Sequence, residues 1–156
     1  MKVLITGSNG YLGARISQYL SLSGFEIIAL TKSVIKFQEG WSNLIKKNIV
    51  GSLTDKSVLN ELVSEGADIV IHLVSLDRDD SEKSINNTLN INVKPTWELL
   101  DKYTKLGLKK FIYISTVHVL GHNLTSKTSN DTKPIDNYGL THLFCEELCL
   151  FFNNKS

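Results

Sequence analysis

The stretch "KVLITGSNGYLG" near the start of the chain constrains the fold more than any other part of the sequence. "KVLIT" (Lys2–Thr6) is rich in β-branched residues and predicts a strand. Three glycines at three-residue spacing follow this strand, and apolar residues then recur at helical spacing at Leu12, Ile16 and Leu20. A strand, a glycine-rich turn and a helix in immediate succession predict the first half of a βαβ unit, which belongs to a parallel sheet.

The same alternation of short apolar runs and helical periods continues along the chain. Further strands are predicted at "FEIIAL", "NIV", "ADIVIHLV" and "KKFIYIS", while residues 32–47 are expected to be irregular and polar. A helix is predicted from Thr54 or Asp55, a long one up to Gly107, and a last one from the polar loop 118–136 to about Phe152. The long helix is marked by Ile85, Leu89, Val93, Trp97 and Leu100. This order predicts one α/β domain over residues 1–156, a doubly wound parallel sheet with strand order 3-2-1-4-5.

Composition and charge exclude several classes of partner. The 156 residues carry a formal net charge of +1, with basic and acidic residues interspersed. That balance argues against binding to nucleic acid or to a membrane surface. The longest apolar runs are too short to span a bilayer, and the first residues do not have the pattern of a signal peptide. A cytoplasmic location is therefore expected.

Cys145 and Cys149 are the only cysteines, and they lie four residues apart on one predicted helix. This spacing does not indicate a disulfide framework. Together with His142 they could line one face as metal ligands, but no second cluster would complete a zinc site. Two buried small apolar residues is the favoured interpretation, and no metal is expected.

The turn "TGSNGYLG" has the composition of a phosphate-binding loop. Gly7, Gly10 and Gly13 are three residues apart, so the spacing differs from G-x-G-x-x-G, but the physics is the same. Glycines permit the tight turn, let the backbone approach a pyrophosphate and let the helix pack close to the sheet. The N–H groups at the helix N-terminus then point toward the phosphates. Three glycines could be merely structural, but the strand before them and the amphipathic helix after them favour nucleotide binding.

The end of the second strand should select the cofactor. An acidic residue at this point holds the ribose 2′-hydroxyl of NAD. Here Thr31 and Lys32 stand in its place, so no carboxylate repels a 2′-phosphate and Lys32 could pair with one. The alternative is that Lys32 simply points into water. The sequence favours NADP over NAD.

Five ordered motifs give the chain a resemblance to a known family. "TGSNGYLG", "IHLVS", "NINVKPTWELL", "KKFIYISTVHVLG" and "YGLTH" resemble, in order and spacing, those of the extended short-chain dehydrogenase/reductase family, the NAD-dependent epimerases and dehydratases of nucleotide sugars. The resemblance covers essentially the whole chain and does not single out one member. It implies an NAD(P) cofactor, a nucleotide-sugar substrate and hydride transfer with a tyrosine as acid and base.

The resemblance also implies roles for individual residues. Contacts to the pyrophosphate are expected at Gly7, Gly10, Tyr11 and Leu12, with Gly13 in the same turn. Contacts to the adenine are expected at Ser52 and Leu53, and a channel along the ribose and nicotinamide at Leu73, Val74 and Ser75. Asn92 matches the asparagine whose side chain steadies the backbone near the cofactor. The positions of the family's catalytic Ser/Thr, Tyr and Lys are occupied by Thr116, Tyr138 and His142.

His142 departs from the family pattern in a way that affects the chemistry. A free tyrosine has a pKa near 10, and the family's lysine lowers it with a fixed positive charge and also binds the ribose. One charge about 4 Å away at an effective dielectric near 20 contributes roughly 4 kcal/mol, or about 3 pKa units. A neutral imidazole supplies little of this at pH 7. We therefore expect Tyr138 to be poorly activated, and we expect His142→Lys to raise any oxidoreductase activity.

Three further departures bear on function. Ser52 stands where an Asp usually accepts from the adenine amine, so the adenine should be held more weakly. Pro95 stands where the family usually has Gly, so it should remove one backbone donor and kink the long helix. Val117 and His118 occupy the positions of the Asp and Glu of 4,6-dehydratases, and because Val117 cannot give a proton, dehydration by that route is not expected. His72, in a buried strand, is expected to be a core histidine with its hydrogen bonds made.

Members of the resembling family continue with further strands and a C-terminal substrate domain, and the motifs found here match only the part before them. The chain is therefore expected to be a truncated member, a piece of a longer protein, or one half that needs a partner. Its fifth strand would be an unpaired apolar edge, open to a second copy or a complementing chain. Two functions stay open: an NAD(P)-dependent sugar-nucleotide epimerase or reductase, or a catalytically inactive dinucleotide-binding module.

Overall fold

The computed structural model describes residues 1–33, 41–122 and 131–155. It contains a five-stranded sheet in the order β3-β2-β1-β4-β5, with the strands β1 (Lys2–Thr6), β2 (Glu26–Thr31), β3 (Lys47–Val50), β4 (Ile69–His72) and β5 (Lys110–Tyr113). The pairs β1–β2, β1–β4 and β2–β3 are parallel. This confirms the predicted doubly wound, Rossmann-like α/β sheet with strand order 3-2-1-4-5.

Helices alternate with the strands as the sequence predicted, and two short helices, Trp41–Leu44 and Arg78–Lys83, stand where none was predicted. The helices that the structure describes are α1 (Tyr11–Leu22), α2 (Trp41–Leu44), α3 (Lys56–Glu65), α4 (Arg78–Lys83), α5 (Ile85–Thr88), α6 (Lys94–Lys105) and α7 (Asn137–Asn153). A π-helical turn (Leu89–Val93) joins α5 to α6, and a 3₁₀ turn covers Val117–Leu120. Asp55 caps α3, as expected, because its side chain accepts from the Ser57 N–H.

The chain divides into two compact units. The first comprises Met1–Val74 and Asp101–Ile112, and the second comprises the described residues of Ser75–Leu100 and Tyr113–Ser156. The core of the first unit is built on inward-facing sheet residues, namely Val3, Ile5, Ile27 and Ile71, with apolar side chains of α1 packed against them. β1 and β2, which pair with each other inside the sheet, are buried in near-continuous runs, as expected for parallel strands covered on both faces.

In the second unit the predicted long helix is interrupted rather than continuous. The Lys94 N–H donates to the carbonyl of Leu89, five residues earlier, so the backbone takes one wide π turn immediately before Pro95. Proline has no N–H and crowds the preceding turn, which favours a local change in helical hydrogen bonding at this point. The structure therefore has a π turn immediately before Pro95, and the kink expected there stays a prediction.

Two other expectations need adjustment. Residues 32–47 are less irregular than predicted, since α2 lies within this range and β3 already begins at Lys47; residues 34–40 lie outside the described residues. The loop before α7 contains a 3₁₀ turn, and residues 123–130 of it are also outside the described part. Cys145 is fully buried as expected, whereas Cys149 is only half-buried.

Candidate functional site

The glycine turn lies between β1 and α1 and is closed by backbone hydrogen bonds. The Gly10 N–H donates to the Gly7 carbonyl at 2.9 Å, and Gly7 has a φ of 69°, a left-handed conformation that favours glycine. Gly10 caps α1 without a side chain, and the first intrahelical bond is that of the Ala14 N–H. The N–H groups of the first turn of α1 therefore have no partner within the helix and can meet an anion.

At Gly13 the backbone of α1 lies in direct contact with the backbone of the glycine turn. A Cβ atom on Gly13 would lie 2.1 Å from the Gly7 carbonyl oxygen and 2.7 Å from the Ser8 Cα. Only glycine fits at this position, so the third glycine of the motif is required by close packing. Tyr11 and Leu12, beside it, keep their side chains exposed. The cradle fits a pyrophosphate, because the N–H groups of the first turn of α1 have no partner within the helix.

The ends of β2 and β3 hold the remaining predicted adenosine contacts. Thr31 is buried, and its hydroxyl donates to the Asn48 Oδ1 at 3.1 Å, whereas Lys32 is exposed at the same strand end. Ser52 is exposed and shares a hydrogen bond with the Thr54 hydroxyl at 2.8 Å, and Leu53 is buried in the core. Of these residues, Lys32 and Ser52 offer their side chains to a ligand in solution.

The end of β4 is tied to β1 through one threonine. Thr6 Oγ1 accepts from the Leu73 and Val74 N–H groups, so its own proton goes to the His72 Nδ1, 2.6 Å away. His72 is fully buried. It is therefore a core histidine with its hydrogen bonds made, as expected, and its acceptor nitrogen fixes the backbone that carries Leu73 and Val74.

In the second unit, Asn92 holds the backbone that follows Ser75. The Asn92 Oδ1 accepts from the Leu76 N–H at 2.8 Å, and its Nδ2 donates to the Thr141 hydroxyl at 3.1 Å. Asn92 is buried and belongs to the π turn, which places its side chain off the regular helical position. The backbone-steadying contact expected of Asn92 is therefore present.

The predicted catalytic residues belong to the second unit and to two of its elements. Thr116 precedes the 3₁₀ turn and accepts from the His118 N–H through its hydroxyl. Tyr138 lies in the first turn of α7, which Asp136 caps by accepting from the Gly139 N–H at 2.7 Å. Gly139 packs directly on His118, since a Cβ atom there would lie 2.5 Å from the His118 carbonyl oxygen. The start of α7 is thus fixed against the residues that follow Thr116.

His142 faces Tyr138 on α7, and it is buried and neutral. The two ring centroids are 4.4 Å apart with the rings edge to face. His142 Nδ1 lies 2.7 Å from the Tyr113 hydroxyl, and burial lowers the pKa of His142 to about 4, with a smaller effect from the charge of His118. Its Nε2 is buried without a hydrogen-bond partner among the described residues. At pH 7 this side chain offers Tyr138 no positive charge.

A second histidine beside Tyr138 was not among the residues predicted for the site. His118 lies edge to face against the Tyr138 ring at 5.4 Å, and its Nδ1 is 2.9 Å from the Asp136 Oδ2. The same carboxylate oxygen accepts from the Arg78 Nε at 3.1 Å. Burial alone would raise the pKa of Asp136, but the hydrogen bonds from Gly139, His118 and Arg78 hold it below its usual value. No local sequence pattern signals this cluster, because its members are far apart along the chain.

An open cavity of about 440 Å³ lies next to Thr116 in the second unit. Its lining mixes hydroxyls and one carboxylate with apolar side chains: Ser115, Thr116, Val117, Val119, Leu120, Thr132 and Glu146. Two of these lining residues are joined to each other, since the Ser115 hydroxyl donates a hydrogen bond to the Glu146 carboxylate. A cavity with a few convergent polar groups on an apolar wall can take a small polar molecule. Among the described residues, no three His, Cys, Asp or Glu side chains are grouped as metal ligands would be.

The parallel sheet, the glycine turn and the helix after it define a member of the Rossmann-like class. The family model of the NAD dependent epimerase/dehydratase family matches residues 3–156, and the chain belongs to that family. A dTDP-D-glucose 4,6-dehydratase of Dictyostelium discoideum is 32% identical over 147 residues, which cover 86% of this chain and 33% of that protein.

Two solved structures show the same fold. A short-chain dehydrogenase/reductase superfamily protein from Agrobacterium tumefaciens with bound NAD has a TM-score of 0.80 and 26% identity, over 97% of this chain and 44% of that one. MoeE5 in complex with UDP-glucose and NAD has a TM-score of 0.83 and 25% identity, over 97% and 49% of the two chains. The chain spans about a third to a half of the length of the curated relatives it matches, 33% of the first and 51% of the next.

Proposed function

We propose that this chain binds NAD(P) through its glycine turn and carries the catalytic residues of a nucleotide-sugar epimerase or reductase. The observation that carries the proposal is Gly13, whose missing side chain lets the turn and α1 form a backbone cradle for a pyrophosphate. A bound nicotinamide would supply the hydride acceptor or donor. The relatives that carry NAD or are named for UDP- and dTDP-glucose support both the cofactor and the substrate class.

The proposed roles of individual residues are as follows. Gly7, Gly10, Tyr11 and Leu12 contact the pyrophosphate, Ser52 and Leu53 the adenine, and Leu73, Val74 and Ser75 line the ribose and nicotinamide. Asn92 steadies the backbone after Ser75. Thr116 and Tyr138 hydrogen-bond the substrate oxygen that gains or loses a proton.

Residues 1–156 as a whole are proposed to act as one NAD(P)-binding domain in the cytoplasm. Among the described residues, no helix has the length and apolarity needed to traverse a bilayer.

The cofactor part of the proposal is tested by thermal-shift titration with NADPH, NADP, NADH and NAD. Ligand at 100 times its Kd should stabilise the fold by about 2.7 kcal/mol, which is several degrees for a domain of this size. We propose a preference for the phosphorylated pair, because Lys32 is exposed at the end of β2 and no carboxylate stands there. Lys32→Ala should remove the preference, while Lys56→Ala, at another exposed lysine of the same unit, should keep it. No shift with any of the four ligands in a folded sample would refute cofactor binding.

The catalytic part is tested with UDP- and dTDP-sugars and NAD(P). Products are separated by chromatography, so that a redox-neutral epimerisation is detected as well as a net change in nicotinamide absorbance. Turnover that Tyr138→Phe abolishes would support the enzyme. Turnover that is unchanged in Tyr138→Phe would refute the assignment of this tyrosine.

One observation favours the alternative function, a dinucleotide-binding module without catalysis. The buried, neutral His142 replaces the charged residue that the family's chemistry uses to activate the tyrosine. In that case the thermal shift with NAD(P) remains and no sugar nucleotide is converted. The two functions are therefore separated by the same pair of experiments.

We also propose that the free edge of β5 pairs with a second copy or a complementing chain. β5 is the last strand in the sheet order, and its residues Phe111, Ile112 and Tyr113 are only partly buried. Size-exclusion chromatography with light scattering should therefore show an oligomer. A stable monomer at high protein concentration would contradict self-pairing through this edge.

A further inference from the structure

The ring of Tyr138 is flanked by two imidazoles that differ in burial and in hydrogen bonding. His142 is 2% exposed, with Nδ1 on the Tyr113 hydroxyl, and burial lowers its pKa to about 4. The His118 side chain is 35% exposed and is held by a carboxylate. Only His118 can therefore exchange a proton with solvent or with a ligand without first leaving a buried site.

The hydrogen bonds of Asp136 determine which nitrogen of His118 carries the proton. The Asp136 side chain is 7% exposed and accepts from three donors, which are the Gly139 N–H, the Arg78 Nε and the His118 Nδ1. Those hydrogen bonds hold the pKa of Asp136 below its usual value despite burial, so it is an ionised, acceptor-only group. His118 must then donate through Nδ1, which leaves the Nε2 lone pair as the acceptor. Among the described residues Nε2 has no hydrogen-bond partner.

The backbone of His118 is fixed as firmly as its ring. Its N–H donates to the Thr116 hydroxyl, and its carbonyl packs against Gly139 at the start of α7. Its ring contacts Tyr138, which places the imidazole beside the hydroxyl-bearing residue proposed for chemistry. A carboxylate that holds Nδ1–H and stabilises the imidazolium is the arrangement by which a histidine serves as a general base.

We propose that His118, oriented by Asp136, is the catalytic residue that takes the proton of the substrate hydroxyl, while Tyr138 hydrogen-bonds the same oxygen. The inference rests on the proposed function and deepens it. As the C–O single bond of the substrate alcohol becomes a carbonyl, His118 Nε2 would take the O–H proton, and a bound oxidised NAD(P) would supply the acceptor for the C–H hydride. In the reverse direction the imidazolium returns the proton to the oxygen. The charged and titratable groups around His118 and Tyr138 are Asp136, Arg78 and the neutral His142.

The first test needs no substrate. Long-range ¹H–¹⁵N NMR of imidazole-labelled protein, with His118 assigned by its loss in His118→Gln, should show neutral His118 in the Nδ1–H form. Asp136→Asn keeps a good cap for α7, but its amide NH₂ now donates to Nδ1 and should switch His118 to the Nε2–H form. Arg78→Gln, the matched control that removes the other partner of Asp136, should leave the Nδ1–H form. An Nε2–H form in the native chain would overturn the proposal.

The second test uses turnover of UDP- or dTDP-sugars with NAD(P). His118→Ala should lower kcat by about 10²- to 10⁴-fold, the usual contribution of a general base, with little change in KM. Free imidazole should restore part of this rate, and it should not restore Tyr138→Phe. Asp136→Asn should also lower kcat. In this variant His118 carries its proton on Nε2, so the nitrogen that should accept the substrate proton is already a donor.

The outcomes separate this inference from the proposed function. If Tyr138→Phe abolishes turnover and His118→Ala leaves kcat unchanged, the proposed function stands and the role of His118 is refuted. If the native chain converts none of the sugars, the catalytic part of the proposed function and this role of His118 fail together, while the thermal shift with NAD(P) still tests cofactor binding. Loss of rate in His118→Ala without imidazole rescue, together with an unfolded or shifted spectrum, would mean that His118 acts through structure, and it would overturn the proposal.

Discussion

Replacing His142 by Asn should make the fold more resistant to acid. In the native state His142 is buried beside Tyr113, and burial lowers its pKa from 6.5 to about 4. In the unfolded chain the imidazole regains its ordinary pKa, so between these two values the unfolded state binds more protons than the native state. The neutral, buried His142 therefore contributes to the free energy of unfolding. This contribution is fully present above pH 6.5 and is lost as the pH falls toward 4.

The magnitude follows from the two pKa values. The linkage relation gives a loss of about 2 kcal/mol between pH 7 and pH 5, and about 3 kcal/mol by pH 4. His142→Asn should not show this loss, because its amide cannot be protonated in this range, while it can still meet the Tyr113 hydroxyl. The difference in unfolding free energy between variant and native protein should therefore change by about 2 kcal/mol over that first interval.

The assay is urea denaturation followed by circular dichroism at half-unit steps from pH 7.5 to 4.5. The native protein and His142→Asn are compared at each pH, so that carboxylates common to both cancel from the difference. His122→Asn removes a histidine from an exposed position and controls for composition. A difference between the native protein and His142→Asn that stays flat across this range would refute the burial argument. It would mean that His142 is protonated in the folded chain or accessible to water.

Two further predictions follow from the backbone of the first unit. Gly13→Ala, whose Cβ would lie 2.1 Å from the Gly7 oxygen, should cost about 3 kcal/mol and abolish the thermal shift with NADPH. Gly24→Ala, with φ 85° and open space around it, should cost about 1 kcal/mol and keep that shift; equal ligand shifts in the two variants would contradict the cradle. Asp55→Ala should lower the unfolding free energy by about 1 kcal/mol and Asp55→Asn by only a few tenths, as measured by urea denaturation, because Asp55 caps α3. An equal loss in both variants would refute the cap.

The sequence predicts the fold well because its signals are local. The period-2 and period-3.6 patterns, the glycine turn and the Asp55 cap each depend on residues within one or two turns of one another. Strand order then follows from the handedness of βαβ crossovers, with few alternatives left. The π turn at Leu89–Val93 was foreseen only as a disturbance at Pro95. The choice between a kink and a widened turn depends on what the helix packs against, as with the buried Asn92.

The candidate site is predicted less completely, because its chemistry depends on contacts between distant residues. Motif spacing identified Thr116, Tyr138 and His142, and the change from lysine to histidine suggested weak activation. It could not show that His142 pairs with Tyr113, 29 residues away, or that Arg78 approaches Asp136, 58 residues away. Sequence comparison marks His118 only as a departure from dehydratases. It does not reveal a pairing with a carboxylate, because Asp136 lies 18 positions later, at the cap of α7.

Two features decide which group beside Tyr138 can carry a positive charge or accept a proton. One is the histidine at position 142, where the family has a lysine, and the other is the His118–Asp136 pair. A lysine at position 142 would need its charge held in a site that is 2% exposed, with the Tyr113 hydroxyl as neighbour. In this chain that position is neutral, while Arg78, Asp136 and His118 form one connected cluster whose imidazole packs against the Tyr138 ring. If this cluster performs the proton transfer, His142→Lys adds little to turnover. A large gain in His142→Lys would instead favour a tyrosine that lacks activation, and it would assign the cluster to capping α7.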